Sequence, residues 1–351
     1  MKIGIAVNIS LGHRTGVEEY IYHLLSNFPM FDDYKNHQFF VYSPEILKWP
    51  FKKFWTQFRL SWEMKKNPVD ILFLPVHTYP LIHPKLVITI QGLEFERLPK
   101  LYPFFKRLFL RWATKRNAKK ANKIIVPSEN TKNDLIKIYH INPDKIFVVH
   151  HGAGNPETAF DAADTNEFGK YILYLGKSDR RKNINGLIKA FRILKTEHPP
   201  ATPSRSDGGR GRIPHKLVLA GPNIGYPVAR DIEDDVIFTG YVQDPRKWQL
   251  LKNAEVFVSP SFYEGFGITV LEAQRVGTPV VASSTSSFPE VLGDSALLIN
   301  PYHPHDIAEA IYKIISHPEL ADDLIKRGYE NVQRFSWPKC AEETLKILIS
   351  N

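Results

Sequence analysis

The feature that most constrains the fold is the run from residue 255 to residue 277, EVFVSPSFYEGFGITVLEAQRVG. EVFV is rich in β-branched and aromatic residues, which favours a buried strand. ITVLEAQRV then carries apolar residues at helical spacing and ends on Gly277, a helix stop. Between strand and helix lies a turn bearing Gly265 and Gly267. A glycine turn that opens a helix leaves backbone N–H groups unpaired at the positive end of the helix dipole, which suits an anion such as phosphate. Glu264 and Glu272 stand eight apart across this turn, so two carboxylates can line one pocket from two depths.

The same strand–glycine loop–helix unit opens the chain. KIGIAV (residues 2–7) is a strand, and NISLGHRTGVEEY carries Gly12 and Gly16 ahead of a helix over Val17–Asn27. Such an opening usually begins a doubly wound sheet. The G-x-x-x-G spacing is not the dinucleotide fingerprint and fits a tight structural turn equally well. Further strands fall at HQFFVY, DILFLP, LVITIQ, KIIVP and IFVVH, with a helix over Glu129–Tyr139. HGAGNPETAFDAADTNEFG reads as an interdomain linker. After it the pattern restarts: strands at KYILYLG, KLVLAG, DVIFTG, EVFVSP and TPVVAS, a basic loop DRRKN, and a helix at INGLIKAFRILK. HPPATPSRSDGGRGRIPH reads as a mobile surface loop. Helices over Pro304–Ser316, Pro318–Phe335 and Trp337–Ile349 close the chain. The derived architecture is α/β: two successive parallel sheets with a cleft between them. Gly12–Gly16, Gln91, Lys177–Lys182 and Glu264–Gly267 all fall at the carboxyl ends of strands, where such sheets bind ligands.

At 351 residues the chain exceeds one ordinary domain, and 43% hydrophobic with 24% charged residues is globular. No apolar run reaches membrane-spanning length, and MKIGIAVNIS lacks a cleavable-signal pattern. The single cysteine, Cys340, excludes an intramolecular disulfide and suits a reducing cytoplasm. The excess of 46 Lys+Arg over 37 Asp+Glu, +9, suits anionic partners or serves solubility. Part of it lies in one helix from Pro103. Phe104, Phe105, Leu108, Phe109 and Trp112 form an apolar stripe. Lys106, Arg107, Arg111, Lys115, Arg116, Lys119 and Lys120 form a basic face. This helix can rest on an anionic membrane surface, or its stripe can pack on the sheet.

Several stretches together resemble family four of the retaining glycosyltransferases. They are YLGKSDRRKNINGLIKAF, KLVLAG, FTGYV, SPSFYEGFGITVLEAQRVGTPVVASSTSSFPEVLGDSALLINP and FSWPKCAEETLKIL. TIQGLEFE, LYPFFKRL, VPSENTKNDL and KIFVVHHG continue the likeness through the first half, in forms similar to the family's bacterial mannosyl- and glucosyl-transfer branch. The resemblance implies the GT-B fold, two Rossmann-like doubly wound domains facing across a cleft. It implies an acceptor-binding domain over 1–160, a nucleotide-sugar-binding domain over 161–335, and a terminal helix, 336–351, packing back on the first domain. It also implies hexosyl transfer, mannose or glucose, from a GDP- or UDP-sugar to a glycan or lipid-linked acceptor hydroxyl. Retention is implied, with no metal and no further cofactor; no D-x-D tripeptide occurs.

Residue by residue, Arg181 and Lys182 match the cations that face the diphosphate, where fixed positive charge stabilises a departing nucleoside diphosphate. Gly265, Phe266, Gly267, Ile268 and Thr269 match the stretch whose amides meet sugar and phosphate; glycine permits close approach. Glu264 matches the acid on the donor sugar hydroxyls and Glu272 the acid on the ribose hydroxyls. Gly16 and Gly12 match the loop that closes on the diphosphate. Tyr241 and Val242 match the segment that holds the nucleobase by its backbone. One departure matters. Where the family places histidine after its fourth strand, this chain has Gln91, followed by Gly92. Glutamine can donate a hydrogen bond but cannot titrate near neutral pH, so proton-shuttle mechanisms are put in doubt and positioning mechanisms survive. His13 could reach the cleft; His77, His150 and His151 read as structural.

The expectation is therefore a cytoplasmic hexosyltransferase, peripheral on the inner face of the membrane if the basic helix binds there. The alternative is a catalytically weakened relative that binds nucleotide sugar or a partner protein. The missing G-x-G-x-x-G argues against a nicotinamide oxidoreductase, and the clusters of basic residues, a phosphate-facing loop and one helix, argue against nucleic-acid binding.

Overall fold

A computed structural model of the chain describes residues 1–7, 16–50, 54–75, 80–156, 166–197, 213–222 and 225–350. Gly12, His13, His77, residues 157–165 of the linker and most of the Pro/Gly/Arg-rich loop lie outside the described residues. The chain divides into two compact units, Met1–Gly152 with Phe335–Asn351, and Ala153–Arg334.

The first unit holds six parallel strands: β1 (Lys2–Ala6), β2 (Gln38–Tyr42), β3 (Ile71–Leu74), β4 (Lys85–Thr89), β5 (Lys123–Val126) and β6 (Ile146–Val148). Their order is β2-β1-β3-β4-β5-β6. The chain leaves β1 toward one edge and returns to its other side at β3, so the strand order reverses between them. The helices are α1 (Gly16–Asn27), α2 (Asp32–Lys35), α3 (Ser61–Lys66), α4 (Glu94–Arg97), α5 (Phe104–Lys120) and α6 (Glu129–Tyr139). The last helix of the chain, α13 (Trp337–Ile349), packs on α1. Ser336 caps α13 by accepting from the Lys339 amide at 3.3 Å, and Lys123 Nζ donates to the Ile347 carbonyl at 3.1 Å.

α5 resolves the two readings of its aromatic stripe. Its core-facing positions are Leu110, Thr114, Asn117 and Ala118, at i, i+4, i+7 and i+8. That spacing turns Phe104, Phe105, Leu108, Phe109 and Trp112 to the opposite side, where they are 53–82% exposed. The stripe does not pack on the sheet. Arg116 stands over the Trp112 ring at 5.2 Å, so basic and aromatic groups share this surface.

The second unit repeats the plan. Its strands are β7 (Tyr171–Leu175), β8 (Lys216–Ala220), β9 (Val236–Gly240), β10 (Val256–Ser259), β11 (Val280–Ser283) and β12 (Leu297–Ile299). All run parallel in the order β12-β11-β10-β7-β8-β9. Here the reversal falls between β7 and β10. α7 (Ile184–Glu197), α8 (Asp244–Asn253), α9 (Ile268–Arg275), α10 (Phe288–Leu292), α11 (Pro304–Ser316) and α12 (Pro318–Val332) cover the sheet. The central strands are apolar along their length, as strands buried on both faces must be: β10 and β11 have no exposed residue. α8, α10 and β12 are additions to the sequence reading. Only three residues of LLI pair with β11, and α8 begins with DPRK, both too short or too polar to signal an element by periodicity.

Candidate active site

The reversal point of the second sheet brings together the loop after β7 and the turn after β10. Ligands of open parallel sheets bind where strand order reverses. The loop SDRRKN is held rigidly by its own side chains. Asp179 Oδ1 accepts from the Arg181 amide at 3.0 Å, and Asn183 takes a left-handed φ of +56° while its Nδ2 donates to the Pro301 carbonyl at 2.6 Å. Phe262 N donates to the Arg181 carbonyl at 2.8 Å, which ties this loop to the β10 turn.

At the centre stands Glu264, only 6% exposed. Arg181 Nη1 donates to its Oε2 at 3.0 Å, Ser261 Oγ donates to its Oε1 at 2.8 Å, and Lys182 Nζ donates to the same Oε1. Burial alone would raise the carboxyl pKa; the charges of Lys182 and Arg181 outweigh it, and the value falls to about 2. Burial pulls the Lys182 ammonium below its ordinary pKa against the pull of Glu264. Asp179 Oδ2 also stands 3.5 Å from Arg181 Nε, so the two cations face two carboxylates, of which only Glu264 is deeply buried. The β10 turn is fixed from the next strand: the Glu264 amide donates to Ser286 Oγ at 2.9 Å, and Ser287 Oγ donates to the carbonyls of Glu264 and Phe266, each at 3.0 Å.

Gly267 caps α9 with φ +98°, and a Cβ there would stand 2.5 Å from Phe288 Cε1, so both conformation and space demand glycine. Gly265 and the buried Phe266 complete the turn; Ile268 and Thr269 form the first turn of α9. Glu272 follows on the same helix, also 6% exposed. Its environment differs from that of Glu264. Lys247 Nζ, from α8, donates to Glu272 Oε1 at 2.9 Å and to Asp244 Oδ1 at 3.1 Å, and lies 4.6 Å from the centre of the Trp248 ring. Burial would lower the Lys247 pKa, but Glu272 and Asp244 more than reverse this and raise it. A Cβ on Gly154 would meet both Glu272 Oε1 and Trp248 at 2.9 Å, so glycine leaves room for this carboxylate. Tyr241 and Val242 follow β9, two strands from β7 at the sheet edge, and Tyr241 is exposed.

The first unit carries its own polar site. Gln91 follows β4, and His151 follows β6. His151 Nε2 stands 2.8 Å from Gln91 Oε1. Burial drives the imidazole pKa down to about 3, with His150 adding to the effect. Gly16 begins α1, and among the described residues nothing lies within 4 Å of where its Cβ would be.

Sequence reasoning thus placed Arg181, Lys182 and Glu264 together with Gly265–Thr269, and left out Lys247, Asn183, Ser261, Ser286, Ser287 and His151. The serines stand at the ends of β10 and β11, which was a usable signal. Lys247 sits in an unremarkable helix, and nothing local marks it. Among the described residues no group of three or more His, Cys, Asp or Glu is placed to hold a metal ion.

Two doubly wound parallel units with such a site define the GT-B class of glycosyltransferases. Residues 156–331, half of the chain, match the family described as Glycosyl transferases group 1, and residues 13–153 match Glycosyltransferase Family 4. The chain belongs to the group 1 glycosyltransferases. It is 26% identical over 298 residues to O-antigen chain mannosyltransferase B of Escherichia coli, covering 82% of this chain and 76% of that protein. It is 25% identical over 307 residues to O-antigen chain mannosyltransferase RfbU of Salmonella typhimurium, covering 87% and 78%. WaaG, a glycosyltransferase of lipopolysaccharide biosynthesis, shares the fold with a TM-score of 0.72 at 16% identity over 99% of this chain and 100% of its own. Anabaena HepE, solved with UDP and glucose, gives 0.70 at 16% identity over 98% of each chain.

Proposed function

We propose that this glycosyltransferase moves a hexose, mannose or glucose, from a GDP- or UDP-sugar to a hydroxyl of a glycan or lipid-linked acceptor, with retention at the anomeric carbon and without a metal. The observation that carries the reading is the Arg181–Lys182–Glu264 cluster at the reversal point of the second sheet. It offers fixed positive charge beside the glycine turn that begins α9, which is what a departing diphosphate needs. Mannose is favoured by the O-antigen mannosyltransferases among its relatives, and a uridine donor by HepE, solved with UDP and glucose.

In this reading residues 161–335 bind the donor, residues 1–160 the acceptor, and residues 336–351 belong with the acceptor domain. Arg181, Lys182 and the amides of Gly265–Thr269 hold the diphosphate. Glu264 accepts from sugar hydroxyls, Glu272 from the ribose hydroxyls, and the backbone of Tyr241 and Val242 meets the base. The acceptor oxygen bonds to the anomeric carbon on the face from which the carbon–oxygen bond to phosphate breaks. The departing phosphate takes the acceptor proton, so no protein base is required and Gln91 serves by donating a hydrogen bond. In this reading, fixed cations at the developing charge supply several kcal/mol of transition-state stabilisation without a metal.

The exposed stripe of α5 supports a further partner. Five large apolar side chains beside Lys106, Arg107, Lys115, Lys119 and Lys120 suit an anionic membrane surface, which is also where a lipid-linked acceptor resides. No helix among the described residues is long and apolar enough to cross a membrane. The protein then acts as a peripheral enzyme on the cytoplasmic face.

The test is incubation of the purified chain with GDP-mannose, GDP-glucose or UDP-glucose and a lipid-linked oligosaccharide, in EDTA, with NMR of the product. An α-linked hexoside from the α-donor is expected. A β-linked product overturns retention, and tight donor binding with neither transfer nor hydrolysis turns the reading to a binding protein.

A further inference from the structure

The pairing of Gln91 with His151 explains how glutamine can stand at this position. His151 is held between two rings. The Tyr20 ring lies 4.6 Å away, the Trp337 ring 5.7 Å away, and Tyr20 is itself fixed by a hydrogen bond of 3.1 Å between its hydroxyl and Thr89 Oγ1 on β4. Gly152 lets the chain pass at this point, since a Cβ there would stand 2.3 Å from the Trp337 nitrogen. Burial disfavours the charged imidazole, so the ring is neutral and carries one proton.

That proton decides which way the carboxamide faces. With Gln91 Oε1 directed at His151 Nε2, the ring must be the Nε2–H tautomer, with the imidazole donating and the amide oxygen accepting. The amide NH2 then points away from the ring. It is shielded from solvent, and among the described residues no acceptor stands within hydrogen-bond reach of Gln91 Nε2. A buried donor without a partner is costly. Such a group is retained where a ligand oxygen completes it.

We infer that His151 is the positioning residue for Gln91: it fixes the carboxamide oxygen inward, so that the NH2 group is presented as a non-titrating donor to a substrate oxygen, a phosphate or a sugar hydroxyl. The pair does together what one histidine ring could do, with the donor on the amide and the orientation set by the imidazole. The inference deepens the proposed transfer reaction and rests on it for the identity of the oxygen. The opposite arrangement, an Nδ1–H tautomer accepting from the amide, would present the carbonyl oxygen instead and would repel phosphate.

Two measurements on the full chain test this. First, nitrogen NMR of imidazole-labelled protein at pH 7.5, with the His151 signals assigned by difference from His151→Asn, reads the tautomer without any substrate. A protonated Nε2 beside an unprotonated Nδ1 is expected; an Nδ1–H tautomer or a charged ring overturns the inference. Second, kcat and KM are measured for Gln91→Ala, His151→Ala and the double variant. Each single change should lower kcat by roughly 10- to 100-fold with the donor KM within about threefold, the range for a transition-state hydrogen bond lost in part or whole. The double variant should be no more than about threefold worse than the poorer single. Losses that multiply, or a His151→Ala protein with a lowered Tm but unchanged kcat, overturn it. If the wild type neither transfers nor hydrolyses donor, the transfer reading fails; the tautomer, with the donor Kd measured across the same four proteins, then decides the pair.

Discussion

The two units share a sheet plan, but the polar groups singled out at their strand ends are held in opposite ways. Behind the strand ends of the second unit the groups are ionised: Arg181 and Lys182 on Glu264, Lys247 on Glu272. Behind those of the first they are neutral: Gln91 on His151, Tyr20 on Thr89. Ionised groups in low dielectric suit a ligand that brings charge, because they stabilise phosphate where water is excluded. Neutral donors suit a ligand that brings hydroxyls. On the proposed function, the same doubly wound frame would hold two kinds of ligand, and the difference would lie in a handful of loop residues.

The largest expected effect lies in the charged unit. Glu264→Ala leaves Arg181 and Lys182 without their buried partner and should cost about 3–5 kcal/mol, read by urea unfolding. A loss under about 1 kcal/mol would mean that the cluster is solvated in solution.

Gly267→Ala comes next. It must hold φ +98° and push against Phe288, and it should cost about 2–4 kcal/mol in the second unit while leaving the His151 tautomer unchanged.

Acid separates the units by pH window. His151 binds a proton near 6.5 when unfolded and near 3 when folded, so stability falls as pH drops below about 6.5. Glu264 is protonated near 4.5 when unfolded and near 2 when folded, so its contribution is complete above about 4.5 and fades toward 2. Probes placed in each unit should lose stability in that order, and His151→Asn should abolish the higher window alone.

The smallest effect on stability belongs to α5. Replacing Phe105 and Trp112 by serine should change stability by no more than about 0.5 kcal/mol. The same change should abolish co-sedimentation with anionic vesicles, as should glutamate at Arg107, Arg111 and Lys115.

Most of the frame was legible because buried parallel strands are short continuous apolar runs and the glycine turns mark their ends. Helices such as Glu129–Tyr139, Pro304–Ser316 and Trp337–Ile349 follow the sequence pattern to the residue. β12 was not legible, because three residues carry no period. Within the candidate site, Arg181, Lys182 and Glu264 declared themselves by charge beside a strand end. Lys247 and His151 did not, since each acts through a partner far along the chain: Glu272 is 25 residues from Lys247, and Gln91 is 60 from His151. The exposure of the α5 stripe also needed the structure, because an amphipathic pattern does not say which of its two faces meets the core.

The central claim is that the charged cluster of the second unit holds the donor diphosphate. Its most direct test is calorimetric binding of UDP and GDP to the wild type and to the triple variant Arg181→Gln, Lys182→Gln, Glu264→Gln. That variant removes the charges together and leaves no buried ion of the cluster unpaired. Affinity for the better nucleotide should fall by at least about 100-fold, the scale of two lost charge-assisted contacts. A triple variant that folds and binds both nucleotides as the wild type does would contradict the account.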